Sequence, residues 1–257
     1  MNFSNNNNDS SRQGGNEIIC GRNPVLEALR SGREIDRLLV QHGISSGSVS
    51  EIIAKCSAKG ILIKEVSLQK MNYYCGGANH QGVAIVFASM NYSTVDEILQ
   101  CAKNDSKPPF IIICDCIEDP HNLGAIIRTA EASGVHGIII PKRRSASLNT
   151  TVAKTAAGAL EYMKVARVTN ISDTIDYLKE NGIWVFGSDM DGSDYTKTDF
   201  KGSCAIVIGN EGKGISTLVA KKCDGIVSLP MCGNINSLNA SVAAGILMYE
   251  VVRQRSL

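Results

Sequence analysis

Apolar residues in the second half of the chain fall into short continuous runs, which are separated by longer amphipathic stretches. The runs cover residues 110–114, 137–141, 165–168, 183–187, 205–208 and 226–229. Continuous apolar runs of this length are typical of parallel strands that helices cover on both faces. The intervening stretches predict helices, among them one from Asn122 to Ser133 with Asn122 as N-cap, one from Ser172 to Asn181, and a last one from about Asn236 to Arg253. Residues 109–257 are therefore predicted to form an α/β domain around a parallel sheet.

The first half of the chain predicts a smaller α/β unit in residues 17–88. A helix begins at Asn23-Pro24, where proline suits the first turn, and ends at Arg30. The remaining elements are strands at 37–40, 61–66 and 83–87, a helix at 49–58 and a glycine-rich loop at Cys75-Gly76-Gly77. Residues 1–16 are mostly Asn, Ser, Gly and Gln, which bury too little apolar surface to offset the entropy of ordering, so a disordered tail is predicted. Residues 89–108 are predicted to be a linker that contains one helix, at 94–103.

The composition excludes several classes of protein. With 257 residues, 44% of them hydrophobic, the chain can form one large domain or two ordinary ones. The N-terminus lacks the features of a signal peptide, and no apolar run approaches the roughly 20 residues of a membrane span, so a cytoplasmic protein is predicted. The nine cysteines include no C-x-x-C pair and the four histidines are scattered, so neither a disulfide framework nor a metal site is predicted.

The distribution of charge leaves two interpretations open. The net charge of +1 provides no global basic field that would attract nucleic acid. Residues 142–167 are nevertheless locally basic, with a single acidic residue, Glu161. The basic residues of this segment are Lys142, Arg143, Arg144, Lys154, Lys164 and Arg167. Such a run forms either a solvated face or a contact surface for a nucleic-acid backbone, and charge alone does not decide between them.

Glycine and small polar residues follow the predicted strands at several points. These segments are Asp119-Pro120-His121-Asn122-Leu123-Gly124 leading to Arg128, Ile208-Gly209-Asn210-Glu211-Gly212, Leu229-Pro230-Met231 and Ser237-Leu238-Asn239. Because open α/β sheets bind ligands at the carboxyl ends of their strands, the segments predict one active site. Each one alone also has a structural interpretation, as a turn, a helix cap or a surface arginine.

Known motifs narrow the chemistry of this site. The glycines after residue 208 match neither G-x-G-x-x-G nor the order of residues in a P-loop, so neither of these nucleotide-binding motifs is present. The motif G-x-S-x-G is also absent, so a hydrolase is not predicted. A nicotinamide-dependent dehydrogenase would need a glycine fingerprint after the strand at 110–114, where the sequence offers a single nearby glycine. Main-chain groups and aliphatic side chains at the sheet edge would instead suit an adenine ring.

In order, spacing and position, these segments resemble the three motifs of the SpoU/TrmH family of RNA 2'-O-ribose methyltransferases, over residues 109–257. The resemblance implies a SPOUT-type parallel sheet with a deep trefoil knot, a homodimer, and S-adenosylmethionine as the cofactor. The residues that it implies for the cofactor site are Gly209, Leu229, Met231 and Leu238. The residues that it implies for catalysis are Asn122, Arg128, Glu211, Ser237 and Asn239.

Residues 20–29 also resemble the small substrate-binding domain, with the fold of ribosomal protein L30e, of family members that act on ribosomal RNA. The resemblance implies methylation of a guanosine in 23S rRNA, free or in the assembling large subunit. It implies that Arg22, Asn23 and Arg30 select the RNA by its shape, and it favours Lys142, Arg143 and Arg144 as backbone contacts. A transfer-RNA ribose methyltransferase and a catalytically idle RNA-binding protein of the same fold are the alternatives.

Arg128 has two possible roles in such an enzyme. The family mechanism lets this arginine deprotonate the ribose 2'-hydroxyl. A guanidinium group, with a pKa above about 12, has no lone pair with which to accept a proton. Physical chemistry therefore favours Arg128 as the group that holds a neighbouring phosphate and stabilises the developing alkoxide, with Glu211 and Asn122 fixing its position.

Overall fold

A computed structural model of the protein describes residues 11–13, 16–31, 33, 35–44, 47–87 and 91–256. The chain divides into two compact units. The first comprises Met1–Asn91 with Ser147–Thr150, and the second comprises Tyr92–Ala146 with Thr151–Leu257. No helix in the described residues is both long enough and apolar enough to cross a membrane.

The first unit is built on one five-stranded mixed sheet. Its elements are β1 (Ser11–Gln13), β2 (Asn16–Cys20), α1 (Arg22–Arg30), β3 (Ile35–Gln41), α2 (Gly47–Ala58), β4 (Leu62–Val66), α3 (Leu68–Cys75) and β5 (Val83–Phe87). The strand order is β1-β2-β5-β3-β4, in which β3 and β4 are parallel and the other pairs are antiparallel. Along β3, Leu38 and Val40 pack with α1 and α2, whereas Leu39 packs with α3 on the opposite face. Both faces of this sheet are therefore covered.

The first unit differs from its prediction at α3 and β1. The α3 helix was missed, although Ser67 caps it by accepting a hydrogen bond from the Lys70 amide and Gly76 ends it with φ +57°. The glycines at 76 and 77 belong to this helix end rather than to an isolated loop. Residues 1–10 of the predicted disordered tail lie outside the described residues, but Ser11–Gln13 pair with β2, so regular structure begins earlier than predicted.

The second unit is built on a six-stranded, all-parallel sheet. Its elements are α4 (Val95–Asn104), β6 (Phe110–Cys114), α5 (Pro120–Ala132), β7 (Gly137–Pro141), α6 (Thr150–Ala156), β8 (Val165–Val168), α7 (Ile171–Glu180), β9 (Trp184–Asp194), β10 (Cys204–Ile208), α8 (Thr217–Lys222), β11 (Gly225–Ser228) and α9 (Ala240–Arg255). The strand order is β11-β9-β10-β6-β7-β8. Helices α4, α7 and α8 contribute to the core on one face, while α5 and α9 pack against each other. The predicted parallel α/β sheet is confirmed, with β6, β7 and β8 at their predicted bounds.

Two helices begin at places that the sequence pattern did not predict. Helix α5 begins at Pro120, and Asp119 caps it by accepting a hydrogen bond from the His121 amide at 2.9 Å. The prediction of Asn122 as the cap is therefore wrong. Helix α4 has a capping box of Thr94 and Glu97, and its Ile98 is fully buried in the core of the second unit. This helix therefore belongs to that unit, although residues 89–108 were predicted to be a linker.

Strand β9 is much longer than the predicted run at 183–187. Its pairing with β11 passes from Gly187 directly to Ser193, so that residues 188–192 leave the ladder. Where the strand pairs with β11 again, the two backbones approach closely. A Cβ atom on Gly192 would lie only 2.6 Å from the carbonyl carbon of Val227. Of the departing residues only Met190 is apolar, which explains why the pattern of apolar residues missed them. The trefoil knot stays a prediction.

Candidate active site

A cavity lies in the second unit at the carboxyl ends of β10 and β11, beside residues 188–190 of β9. Its empty volume, including the open mouth, is about 820 Å³. The predicted site residues that line it are Gly209, Glu211, Leu229, Met231, Ser237 and Leu238. Lining residues that the sequence analysis missed include Ser188, Asp189, Met190, Lys213, Ala240 and Ala243.

The loop after β10 is closed on itself and forms one wall of the cavity. The amide of Asn210 donates to the carbonyl of Gly214 at 3.0 Å, and the amide of Gly214 donates back at 2.8 Å. A Cβ atom on Gly209 would lie only 2.2 Å from the carbonyl carbon of Gly214. Gly214 has φ +63°, which favours glycine. The glycines of this motif are therefore required by a compact loop whose backbone lines the cavity.

Asp115 fixes the base of this loop, and the sequence analysis missed it. This buried residue follows β6, and its carboxylate accepts a hydrogen bond from the Ser216 amide at 2.8 Å. The Asn210 side chain donates to the carbonyl of Cys116 at 3.3 Å. Burial, together with the charge of Asp115, raises the pKa of the Cys116 thiol to about 11. The thiol is therefore neutral near pH 7 and is not a nucleophile.

Three of the predicted catalytic residues form one hydrogen-bonded network. Glu211 Oε1 accepts from Asn122 Nδ2 at 2.8 Å and from Asn239 Nδ2 at 2.5 Å. Asn239 Nδ2 also donates to Asn122 Oδ1 at 2.9 Å. The same Glu211 oxygen accepts the backbone amide of Ala240 at 3.2 Å. The network joins the beginning of α5, the loop after β10 and the beginning of α9, which are far apart in the sequence.

Asn239 combines this network with the capping of α9. Its Oδ1 accepts from the amides of Ser241 and Val242 at 3.0 and 3.3 Å. The predicted capping role of Asn239 is confirmed, and the helix begins at Ala240 rather than near residue 236. Ser237 does not cap the helix; it is exposed and lines the cavity. Asn239 thus orders the helix and donates to Glu211 at the same time.

Arg128 is separate from the network. It is exposed on α5 and has no hydrogen bond or ion pair with any residue that the structure describes. It lies six residues after Asn122, about 240° around the helix, so the two side chains leave different faces. The predicted positioning of Arg128 by Glu211 and Asn122 is therefore not formed, because Asn122 and Glu211 bind each other and Asn239 instead. The guanidinium is free to contact an anion.

Gly124, in the first motif, allows α5 to approach α6 closely. A Cβ atom at this position would lie 2.6 Å from the Cβ of Thr155 and 2.9 Å from the carbonyl oxygen of Val152. The hydroxyl of Thr155 lies 3.4 Å from His121 Nδ1 in the first turn of α5. This glycine therefore sets helix packing next to the network and need not contact a ligand.

The predicted RNA-binding residues of the second unit follow β7. Lys142 is half-buried, Arg143 and Arg144 are exposed, and none of the three forms an ion pair with a described residue. The Ala146 amide donates to the carbonyl of Ile117 at 2.8 Å, which holds this segment beside the loop that leads into α5. Three unpaired cations therefore lie at the sheet edge that also carries the cavity.

The structure separates the three predicted RNA-binding residues of the first unit. Arg22 and Asn23 line a surface hollow, in which the Arg22 guanidinium donates to the carbonyl of Gln81 at 3.2 Å. Arg30 lies at the other end of α1 and pairs with Glu27 at 2.6 Å on an exposed face. The hollow therefore includes two of these residues and excludes Arg30.

Comparison with protein families identifies the chain. The family model described as SpoU rRNA Methylase matches residues 109–249, which contain the cavity and the network. The chain belongs to the SpoU rRNA methylase family. A second model, described as RNA 2'-O ribose methyltransferase substrate binding, matches residues 18–93 of this SpoU methylase. The predicted family and the predicted class of enzyme, an RNA methyltransferase, are thereby confirmed.

Individual relatives cover nearly the whole SpoU methylase. A TrmH family tRNA/rRNA methyltransferase of Bacillus subtilis is 45% identical over 241 residues, which are 93% of this chain and 96% of the relative. The crystal structure of the SpoU methyltransferase AviRb from Streptomyces viridochromogenes, in complex with the cofactor AdoMet, has 26% identity and a TM-score of 0.60. It covers 94% of this chain and 91% of its own.

Two further structures differ in how much of the chain they match. An AdoMet-bound rRNA methyltransferase from Sinorhizobium meliloti, 27% identical with a TM-score of 0.57, covers 93% of this chain and 87% of its own. A TrmH/SpoU tRNA-modifying enzyme of A. aeolicus, 25% identical with a TM-score of 0.55, covers 63% of this chain and 83% of its own. The predicted SpoU-type fold is confirmed, whereas the homodimer stays a prediction.

Proposed function

We propose that this SpoU methylase transfers a methyl group from S-adenosylmethionine to a ribose 2'-hydroxyl of 23S rRNA, at a guanosine, in the cytoplasm. We favour rRNA over tRNA because residues 18–93 match the model for the substrate-binding unit. The rRNA methyltransferase of S. meliloti aligns with 93% of the chain, whereas the tRNA-modifying enzyme of A. aeolicus aligns with 63%. A tRNA ribose remains the alternative substrate.

The residues that line the cavity have the chemistry that S-adenosylmethionine requires. The backbone of residues 209–214 offers hydrogen-bonding groups, and Leu229, Met231 and Leu238 offer apolar surface to an adenine ring. The absence of a side chain at Gly209 lets the loop close and keeps its main chain accessible to a flat ligand. When bound, this cofactor supplies an electrophilic methyl group. The first residues of α9 also line the cavity, and Asn239 fixes their position by capping the helix.

Glu211, Asn122 and Asn239 act as positioning residues in this proposal. Glu211 Oε1 accepts three hydrogen bonds, from the side chains of Asn122 and Asn239 and from the amide of Ala240. The network is therefore suited to holding three chain segments in one geometry. Ser237, exposed at the cavity mouth, offers a hydroxyl to the nucleotide.

Arg128 stabilises charge on the RNA. Its unpaired guanidinium binds the phosphate next to the target ribose and stabilises the oxyanion that develops at the 2'-oxygen, while the proton leaves to solvent. Electrostatic groups of this kind contribute about 10²- to 10³-fold to rate. Lys142, Arg143 and Arg144 bind neighbouring phosphates, and Arg22 and Asn23 bind RNA from the first unit.

Arg30 and the homodimer complete the proposal. The ion pair of Arg30 with Glu27 is exposed and contributes little to stability, so this arginine can exchange Glu27 for a phosphate. Helix α9 buries one face and leaves Val242, Ile246 and Tyr249, at helical spacing, 49%, 37% and 51% exposed. A helix that is apolar on both faces is usually covered on both. A second copy of this chain covers that stripe.

The proposal is tested with purified protein and S-adenosylmethionine carrying a labelled methyl group. Unmodified rRNA and tRNA are offered separately, and the product nucleosides are identified by mass spectrometry. We expect 2'-O-methylguanosine from rRNA, and a loss of about 10²-fold or more in kcat for Arg128→Ala with unchanged cofactor binding. Lys221→Ala, which removes an exposed and unpaired cation from α8, is the matched control. Labelling of tRNA alone would support the alternative substrate, and labelling of neither RNA would refute the proposal.

A further inference from the structure

The first unit contains a polar surface hollow at the beginning of α1. Its empty volume, including open space above it, is about 1110 Å³. Side chains of Arg22, Asn23, Gln41, Asn79 and Gln81 line it, together with apolar Leu26 and Ile44. No acidic residue is among the residues that line it. The hollow therefore has one cation, several carboxamides and two apolar side chains.

Hydrogen bonds and close packing fix the walls of this hollow. The Arg22 guanidinium donates to the Gln81 carbonyl at 3.2 Å and to the Ser48 hydroxyl at 2.9 Å. Gln81 has φ +49° and Gly82 has φ +84°, so the chain turns sharply here. A Cβ atom on Gly82 would lie 2.4 Å from Ile44 Cδ1. Arg22 thus helps to form the walls of the hollow, and its guanidinium donates hydrogen bonds to the protein through Nε and Nη1.

His80 stabilises the same turn through a hydrogen bond. It is buried, and its Nδ1 accepts a hydrogen bond from the Gly82 amide at 2.9 Å. Nδ1 therefore carries no proton, and Nε2–H donates to the Asn72 side-chain oxygen at 3.0 Å. His80 therefore holds the turn at 80–82, and it is also one of the residues that line the hollow.

Three carboxamides in the hollow have no partner in the described part of the chain. The side chains of Asn23, Gln41 and Asn79 form no hydrogen bond there. By contrast, Asn122, Asn210 and Asn239 in the second unit all have side-chain hydrogen bonds. Three carboxamides without a described partner therefore line one hollow.

The chemistry of these groups selects the ligand. A carboxamide presents a donor beside an acceptor, which matches the edge of a nucleobase. A phosphate accepts hydrogen bonds only and would be served better by cations, of which the hollow has one. Leu26 and Ile44 can contact the face of a ring. Proteins that read RNA sequence bind unpaired bases in this way, through their edges and faces.

We infer that this hollow binds an unpaired base of the RNA substrate, with Asn23, Gln41 and Asn79 contacting its edge. The inference rests on the proposed function for the presence of RNA, and it adds a site that reads a base apart from the methylated nucleotide. In this inference Gln41 and Asn79 determine which base is bound, and Arg22 holds the wall of the hollow in place.

The test is a kinetic comparison of the full-length protein with Gln41→Ala and Asn79→Ala, using the RNA that the wild type methylates. Loss of one carboxamide contact is expected to raise KM about 5- to 150-fold, with kcat at saturating RNA within about twofold. The slope of log Kd against log salt should be unchanged, because no phosphate contact is lost. Arg143→Ala should instead reduce that slope by about one.

Gln69→Ala is the matched control, since Gln69 is an exposed carboxamide of α3 outside the hollow. It should behave as the wild type does. An unchanged KM in the double variant Gln41→Ala/Asn79→Ala would overturn the inference, and so would a loss of affinity with a reduced salt slope, which indicates phosphate binding. If the wild type methylated neither rRNA nor tRNA, the proposed function would fail first. The affinity of the same variants for rRNA would then test the hollow alone.

Discussion

Replacing Gly209 by alanine should damage the cofactor cavity without removing any functional side chain. The added methyl would lie 2.2 Å from the carbonyl carbon of Gly214 and 2.4 Å from its oxygen. Real Cβ atoms essentially never come closer than 3.0 Å, so Gly214 must retreat by at least about 0.8 Å. The obstacle is backbone on both sides, which cannot turn away as a flexible side chain would.

The expected cost follows from the two hydrogen bonds that close the loop. Both connect Asn210 and Gly214, and retreat of Gly214 weakens or breaks them. At about 0.5–1.5 kcal/mol each, their loss destabilises the closed loop by about 1–3 kcal/mol. If the cofactor binds only the closed loop, its Kd should rise by about 5- to 150-fold. Isothermal titration calorimetry with S-adenosylmethionine measures this change directly.

Gly212→Ala provides the matched control within the same loop. A Cβ atom at Gly212 would meet only the side-chain oxygen of Asn210, at 3.6 Å, which is an ordinary contact. This variant should bind the cofactor within about twofold of the wild type. Cofactor affinity of Gly209→Ala within twofold of the wild type, in a protein that remains folded, would refute the argument from loop geometry. Equal damage from both substitutions would refute it as well.

Three further predictions concern α9. Asn239→Ala should lower the free energy of unfolding by about 1 kcal/mol, because the helix cap is lost. Asn239→Ser should restore most of that stability but not methyl transfer, since serine cannot donate to both Asn122 and Glu211. Equal recovery of stability and of methyl transfer would contradict the dual role of Asn239. Ile246→Glu should convert a dimer to monomers in light scattering after gel filtration, and the control Leu68→Glu, on an exposed residue of the first unit, should not. The Arg253 guanidinium beside Glu250 lowers the pKa of that carboxyl, so its stabilisation is present at neutral pH and is lost as the pH falls through the lowered pKa. Glu250→Gln should therefore reduce the melting temperature more at pH 7 than at pH 3.

The sequence predicted the sheet of the second unit well because its strands are buried on both faces. Continuous apolar runs placed β6, β7 and β8 at their observed bounds. The same criterion failed for the second half of β9, where residues 188–192 are mostly polar and leave the ladder, and residues 188–190 line the cavity. It also missed α3, where the two glycines after Cys75 were interpreted without the preceding helix that they end.

The site was predicted through resemblance rather than through spacing. Asn122 and Asn239 are 117 positions apart, and nothing in the spacing of their motifs indicates that their side chains meet. The resemblance named the residues but not their partners, so Glu211 was assigned to Arg128 instead of to the two asparagines. Asp115 could have been suspected, because an acidic residue directly after a buried strand needs a donor, and Ser216 supplies it.

Modification of a 23S rRNA ribose by this SpoU methylase can be measured in the cell. Ribose methylation is mapped by mass spectrometry across 23S rRNA from a strain that lacks the gene, and from that strain complemented with the wild type or with Arg128→Ala. We predict that one 2'-O-methylguanosine disappears, returns with the wild type and does not return with Arg128→Ala. A 23S rRNA map that is identical in all strains would contradict the claim.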